Sequence, residues 1–548
     1  MKLRALLSAS ALALLALSAC DKAPVTEAGP ATVRRLTQEQ YATVISDTFG
    51  TDIKIGGRFD PDIREEGLLA VGTSRVSVTP TSIEQYDSMA RSIAAQVLDD
   101  RHRGQMLGCQ PADAKAADDA CTSKFLAEVG RQLFRRPVRD DELKAFVAVA
   151  ADATRTLGDY YAGLETSLAV MLEAPDFLFR REVAVTGKDG TLQLDAYSKA
   201  ARLSFFLWNT SPDDELLRAA EQGDLDNPKG LAAQVDRLLA SPRLEGGVRA
   251  FFADFLRFDG LSGIAKDPQI YPKFTPLVAG QAREQTLRTV VDHLLVQKGD
   301  YRDLFTTRRT YLTQLLGAIY RVPVQPTQGW ELHEFQAGDP RAGIATQVSF
   351  LAMNSHPGRS SPTLRGKAVR EVLLCQPVPA PPNNVDFKLV QDTNNPNFRT
   401  ARDRLTAHAN AEVCAGCHKI VDPIGLALEK FDGMGEARKT ENGAPINDAG
   451  EMNGAAFEGA VGLGQRLHDD PAAVSCVVGR LASFALGRPP VAGEAEWVQF
   501  LQKRFAGDNY RFPDLMRRIA TSDAFYRVTK SEAPAEHAAA ASTEEPKS

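Results

Sequence analysis

Cys414-Ala415-Gly416-Cys417-His418 is followed at once by Lys419-Ile420-Val421-Asp422-Pro423-Ile424-Gly425. A C-x-x-C-H pentapeptide has the residues that covalent haem attachment requires. Two thiols about one helical turn apart reach both vinyl groups of one porphyrin, and the adjacent imidazole is then held under the iron as its proximal ligand. Three other readings compete: a C-x-x-C redox pair, half of a zinc site, or a chance string. No second C-x-x-C and no H-x3-5-H pair completes a zinc site, since the remaining cysteines are scattered singly. A thioredoxin-like pair calls for a βαβ setting, which the flanking sequence lacks. In an exported chain the pentapeptide becomes a strong signal, so the N-terminus bears on its reading.

Residues 1–19 read as a targeting segment rather than as fold. Lys2 and Arg4 form a basic start, Ala5 to Leu17 an apolar stretch, and Leu17-Ser18-Ala19-Cys20 a small-residue cleavage site ending in cysteine. That string resembles a bacterial lipobox, in which Cys20 becomes the acylated first residue. Plain secretory cleavage near Ala19 is the competing reading. Asp21 after the lipidated cysteine resembles an inner-membrane retention signal. The expected address is a cell-envelope lipoprotein facing the periplasm, at the inner membrane rather than the outer. No later run reaches the roughly 18 apolar residues of a membrane span.

At 548 residues the chain is long enough for two to four packed units. Its 64 basic and 70 acidic residues give a net charge of −6, which is no nucleic-acid footprint. Loss of Lys2 and Arg4 leaves 62 basic residues against 70 acidic. Of seven cysteines, one is assigned to lipid and two to haem, which leaves four in an oxidising compartment. Cys109 with Cys121 is expected as a local staple worth about 3 kcal/mol. Cys375 with Cys476 would tie the two sides of the haem segment together, with buried free thiols as the alternative.

The periodicity is helical nearly throughout, so the expected fold is mainly α, multi-helical, with several packed units and little β. Residues 20–32 read as a tether and 531–548 as a disordered tail. Between them lie expected units at 33–105, 106–155, 156–325, 326–440 and 441–530. The chain reads as helix from Val33, with Thr37 and Gln40 at capping-box spacing. Arg135-Arg136 is read as a structural pair capping a helix end rather than as an anion site. Ser211-Pro212-Asp213-Asp214 reads as a helix start with serine as cap. His293 falls on the polar side of its helix and is expected in solvent. Ser360-Ser361-Pro362-Thr363 starts a helix carrying Arg365 to about Leu374, and Pro377, Pro379, Pro381 and Pro382 form an extended spacer. Residues 442–460 are turns with a small hairpin.

Long strings in fixed order then resemble one family. They are VRRLTQEQY at 33–41, FRRPVRDDEL at 134–143, ARLSFFLWNTSPDDELL at 201–217, SSPTLRGKAVREVLLCQPVPAPPNNV at 360–385, CAGCHKIVDPIGLALEKFDGMGEAR at 414–438 and CVVGRLASFALGRP at 476–489. The chain is similar to the planctomycete-type cytochrome c-like proteins, large secreted chains of consecutive domains of unknown function around one C-x-x-C-H motif. The resemblance implies one covalent haem c and redox work in the cell envelope, with no established reaction.

On this reading Cys414 and Cys417 form the thioethers and His418 is the proximal iron ligand. His408, which matches a histidine often found before the motif in this family, Met452 and His356 are the distal candidates, beside an open position. Met434 sits where relatives carry an apolar residue and is expected to pack. Asp422-Pro423-Ile424-Gly425 is expected to turn the chain off the haem. Arg365 and Arg438 are candidates for the propionates, because a guanidinium pairs bidentately with a carboxylate; surface arginines are the alternative. Three functions stay open. They are electron transfer with an unidentified redox partner, a haem-dependent oxidoreductase whose substrate binds the large helical unit, and a scaffold with structural haem. The sequence shows no nucleophile elbow, phosphate loop or H-E-x-x-H.

Overall fold

The computed structural model describes residues 23–529 apart from 25, 76–78, 326, 381–387, 394 and 409–411. The expected leader, Cys20 and the tail from Ser531 lie outside the described residues, as do the side chains of Cys414 and Cys417. The fold is mainly α. Its described strands form five two-stranded antiparallel ribbons.

Strand β1 (Val33–Arg35) leads into helix α1 (Gln38–Phe49), so the helix begins later than Val33. Thr37 accepts from the Gln40 N–H and Gln40 from the Thr37 N–H, the capping box that the spacing predicts. Helices α2 (Pro80–Val97), α3 (Asp119–Phe134), α4 (Asp140–Leu157) and α5 (Tyr160–Glu173) follow. Tyr41, Ile93, Phe125, Leu133, Leu164 and Leu168 are buried in one core gathered from Leu36 to Leu178 and Phe205. Cys109 is disulfide-bonded to Cys121 in the first turn of α3. The expected break at 155/156 thus falls inside a packed core, because the apolar face of α5 turns back onto the preceding helices.

Strand β2 (Phe179–Arg181) then returns to pair with β1, Arg180 opposite Arg34. Helices α6 (Ala196–Leu207), α7 (Leu244–Phe255) and α8 (Pro276–Val291) contribute to a larger core. Phe251, Phe252, Phe484 and Phe512 meet there ring to ring. This core draws on residues from Leu68 to Tyr526, so the expected units 156–325, 326–440 and 441–530 share one interior.

Several local readings shift. The helix at Asp214–Glu221 is capped by Asp213, two residues after Ser211. His293 is buried, its Nε2 at 2.7 Å from the Asp300 carbonyl, because a π-helical turn at Asp292–Val296 rotates it inward. Arg135 donates to the carbonyls of Asp176, Phe177 and Phe179, and Arg136 pairs with Glu142; both are structural. The small hairpin is present at Ala449–Met452 and Ala455–Glu458, turning on Asn453 and Gly454, both at positive φ.

Glu182 ties the β1–β2 ribbon to α6. Its carboxylate, 4% exposed, accepts from Thr32, from Arg34 at 3.1 Å and from Arg202 at 2.6 Å. Burial alone would raise its pKa, but Arg202 and Arg34 pull it down to about 2. Glu182→Gln leaves two buried guanidiniums without a counter-charge and should cost about 3–5 kcal/mol in urea unfolding at neutral pH. The folded pKa lies below the unfolded one of about 4.3. The wild-type advantage should therefore be complete above that pH and shrink as pH falls toward 2. An unchanged unfolding midpoint in the variant at neutral pH would refute this role.

Candidate functional site

The site is built from three helices: α9 (Pro362–Ala368), α10 (Ala401–His408) and α11 (Glu412–Leu426). The helix starts within residues 360–363, as the sequence predicts; Ser361 caps α9, Pro362 opens it, and a π-helical turn carries it on to Leu373. Helix α11 contains the whole C-x-x-C-H motif and runs through Pro423, so the turn expected at Asp422–Gly425 comes only after Leu426. Helices α9 and α11 cross at glycines. A Cβ on Gly366 would lie 1.9 Å from the Val421 carbonyl oxygen, and one on Gly425 would lie 1.8 Å from that of Pro362. Only hydrogen at both positions allows this approach.

The crossing is locked by Arg365, whose side chain is 0% exposed. It donates to the carbonyls of Leu428, Phe431 and Asp432, to Ser355 Oγ and to the Glu429 carboxylate. Glu429 also accepts from Ser360 at 2.7 Å and from Arg438 at 2.8 Å. The two arginines expected at propionates therefore meet on Glu429, outside the cavity wall. Their charge is used to cap the chain that leaves α11.

His418 hydrogen-bonds through Nδ1 to Asp422 Oδ2 at 2.7 Å, one helical turn on, and Asp422 in turn accepts from Thr363 Oγ1 at 2.7 Å. The bond to Asp422 raises the imidazole pKa, with burial opposing. With Nδ1 donating to a carboxylate, Nε2 is the atom left to coordinate. The ring of His408 meets His418 edge to face, 5.2 Å between centroids. Both line a cavity of about 370 Å³, within the usual range for a ligand site, together with His356, Arg359, Lys367 and Arg404. Burial, with Arg359 and Lys266 nearby, pushes His356 down to about 4, so its imidazole is neutral at pH 7.

Leu364, Val378, Leu405 and Val421 supply apolar wall, and Pro379 of the expected proline spacer lies in it too. Arg404 pairs with Glu441, while Arg359 makes no hydrogen bond or ion pair among the described residues. No carboxylate belongs to the described lining. Three imidazoles, apolar walls and guanidiniums suit an apolar ring that carries a metal and two carboxylates, so the residues present fit haem.

Met452 is not part of this arrangement. It is 1% exposed inside the main core, because its strand turns that face inward. Met434 is buried in a third, smaller cluster, as its packing role predicts. Sequence reasoning missed Asp422, although its i+4 spacing from His418 on a helix points to it. Arg359 and Arg404 carried no local signal. Among the described residues no cluster of three or more His, Cys, Asp or Glu side chains is arranged to hold a metal by itself.

Five family models match the chain in succession, each described as a protein of unknown function. They are DUF1587 over residues 34–99, DUF1595 over 121–182, DUF1592 over 194–322, DUF1588 over 341–441 and DUF1585 over 453–525. The chain belongs to the planctomycete cytochrome c-like multidomain family. No curated protein and no solved structure matches it. The cavity and all three histidines fall within the DUF1588 segment of this family member, whose model is labelled PSCyt3. The Cys375–Cys476 disulfide, formed as expected, ties that segment to the DUF1585 segment.

Gly366→Ala should cost about 1–3 kcal/mol in urea unfolding, because the added methyl must push α9 off α11. Gly416→Ala on the same α11, where a Cβ meets nothing within 4 Å, should be neutral or slightly stabilising. Equal effects at the two positions would contradict the close crossing.

Proposed function

We propose that this protein is a c-type cytochrome with one haem, which transfers electrons in the cell envelope. The observation that carries the reading is the convergence of His356, His408 and His418, from three separate segments, on one apolar cavity bearing unpaired positive charge. Cys414 and Cys417 would form the two thioethers, and His418, through Nε2, and His408 would be the imidazoles that hold the iron. When bound, the haem supplies one-electron redox chemistry. The chain's own residues hold and tune it. Asp422, steadied by Thr363, fixes the tautomer of His418 and raises its basicity as a ligand. Arg359, which lines the cavity without a partner among the described residues, is the propionate partner in this reading, in place of Arg365 and Arg438. The crossing of α9 on α11 and the Cys375–Cys476 bond restrain movement of the ligand-bearing helix, which keeps reorganisation small.

A second reading, a haem-dependent oxidoreductase, is favoured by one feature. A neighbouring cavity of about 240 Å³, walled by Leu256, Phe258, Phe350 and Met353, meets the first at Leu364 and Lys367 and offers room for a substrate.

Export and acylation at Cys20 complete the proposal, and no nucleic acid is among the proposed partners. Among the described residues no helix is long and apolar enough to cross a membrane. Cys20→Ala should move the protein from the membrane to the soluble periplasmic fraction, and continued sedimentation with membranes would point to another anchor.

The purified protein should keep its haem through acid–acetone extraction, and loss there would end the covalent assignment. Carbon monoxide should leave the spectrum of the reduced wild type unchanged, whereas reduced His408→Ala should bind it. Rapid stoichiometric binding by the wild type would remove the electron-transfer reading and favour the oxidoreductase.

A further inference from the structure

Five buried arginines gather where the β1–β2 ribbon meets α6 and the C-terminal helices: Arg34, Arg135, Arg180, Arg202 and Arg488. Two buried carboxylates serve them. Glu182 takes Arg34 and Arg202, and Glu494 takes Arg488 in a two-bond fork. Arg135 is satisfied by the carbonyls of Asp176, Phe177 and Phe179. Arg180 is left over. It is 7% exposed, its Nε has no partner, and its guanidinium makes no hydrogen bond or ion pair among the described residues. Its guanidinium lies over the face of Phe205, 4.5 Å from the ring centroid. Burial and the neighbouring Arg34 both disfavour its charged form, and Glu182 only partly offsets them. A guanidinium does not discharge by losing its proton near neutral pH, so a missing counter-charge is the alternative.

Arg180 lines a pocket of about 130 Å³ that also has Arg135, Arg136, Arg139 and Arg181 in its wall, against Asp176 and Asp195. Both acids are engaged. Asp176 lies 3.1 Å from Arg136, and Asp195 accepts from the Ser198 N–H at the start of α6. Arg139 and Arg181, with side chains 60% and 58% exposed, stand at the solvent side. Exposed arginines thus lead inward to a buried one that lacks an anion. We propose that this pocket binds a small oxyanion, a phosphate or carboxylate group, on the guanidinium of Arg180. The planar fork of donors suits such a group, and the cavity has room for little more. The Arg135-Arg136 pair is structural, but it frames the pocket that Arg180 completes. The site is independent of the haem cavity.

The test uses the full-length protein, titrated calorimetrically with inorganic phosphate and with acetate against chloride of equal ionic strength. Phosphate should bind one to one and raise the melting temperature above that in chloride. Arg180→Met should weaken phosphate binding by about tenfold or more. In chloride the variant should melt no lower than the wild type, because an apolar side chain replaces an uncompensated charge. If that variant fails to fold, Arg181→Ser at the exposed rim should fold and bind phosphate several-fold more weakly. Vesicles of phosphatidylglycerol against phosphatidylcholine separate the sources. Arg180-dependent binding competed by phosphate assigns a lipid headgroup, and phosphate binding without vesicle binding assigns a soluble anion. Wild type that prefers neither phosphate nor acetate to chloride overturns the proposal, as does Arg180→Met binding phosphate like the wild type.

Discussion

The fully buried guanidinium of Arg365 holds the candidate site together. It is committed to three carbonyls at the end of α11, to Ser355 and to Glu429, and Glu429 is shared with Ser360 and Arg438. Removing one partner would leave a charge buried without compensation, so the network constrains as a unit. It fixes α9 against α11 at glycine distance. That contact sets Thr363 on Asp422 and Asp422 on His418. The orientation of one imidazole therefore depends on a salt bridge that never reaches the cavity.

One rule of charge placement recurs in the molecule. A buried arginine is matched to a buried carboxylate, as with Arg34 and Arg202 on Glu182 and Arg488 on Glu494. Arg359 and Arg180, which make no hydrogen bond or ion pair among the described residues, both line cavities. Since an unpaired buried cation is costly, departures from the rule are informative about ligands. They supply the propionate assignment in one cavity and the oxyanion in the other.

What the sequence made legible was local. The C-x-x-C-H string, the Thr37 capping box, the helix start at Ser360-Ser361-Pro362-Thr363 and the small hairpin within 442–460 each rest on neighbours a few residues apart. Cysteine arithmetic reached further, because parity and compartment constrain pairing over a hundred residues, and Cys375–Cys476 is formed. Tertiary partners were not legible. Arg365 and Arg438 carry the right group for a propionate, yet only the fold shows Glu429 between them. Met452 lies at a plausible distance along the chain, but its strand faces the core. His293 was assigned to solvent by an α-helical period that a π-helical turn breaks. The boundary drawn at 155/156 lies within one packed core, because helical periodicity says which face is apolar and not which neighbour covers it.

The central claim is that the histidines of this one cavity would hold the iron, with Met434 and Met452 held in cores. Near-infrared magnetic circular dichroism of the oxidised protein tests it most directly, since the charge-transfer band distinguishes bis-histidine from histidine–methionine coordination. The account predicts a bis-histidine band that His408→Ala abolishes. A histidine–methionine band would contradict it, because the burial of Met434 and Met452 would then have to be wrong.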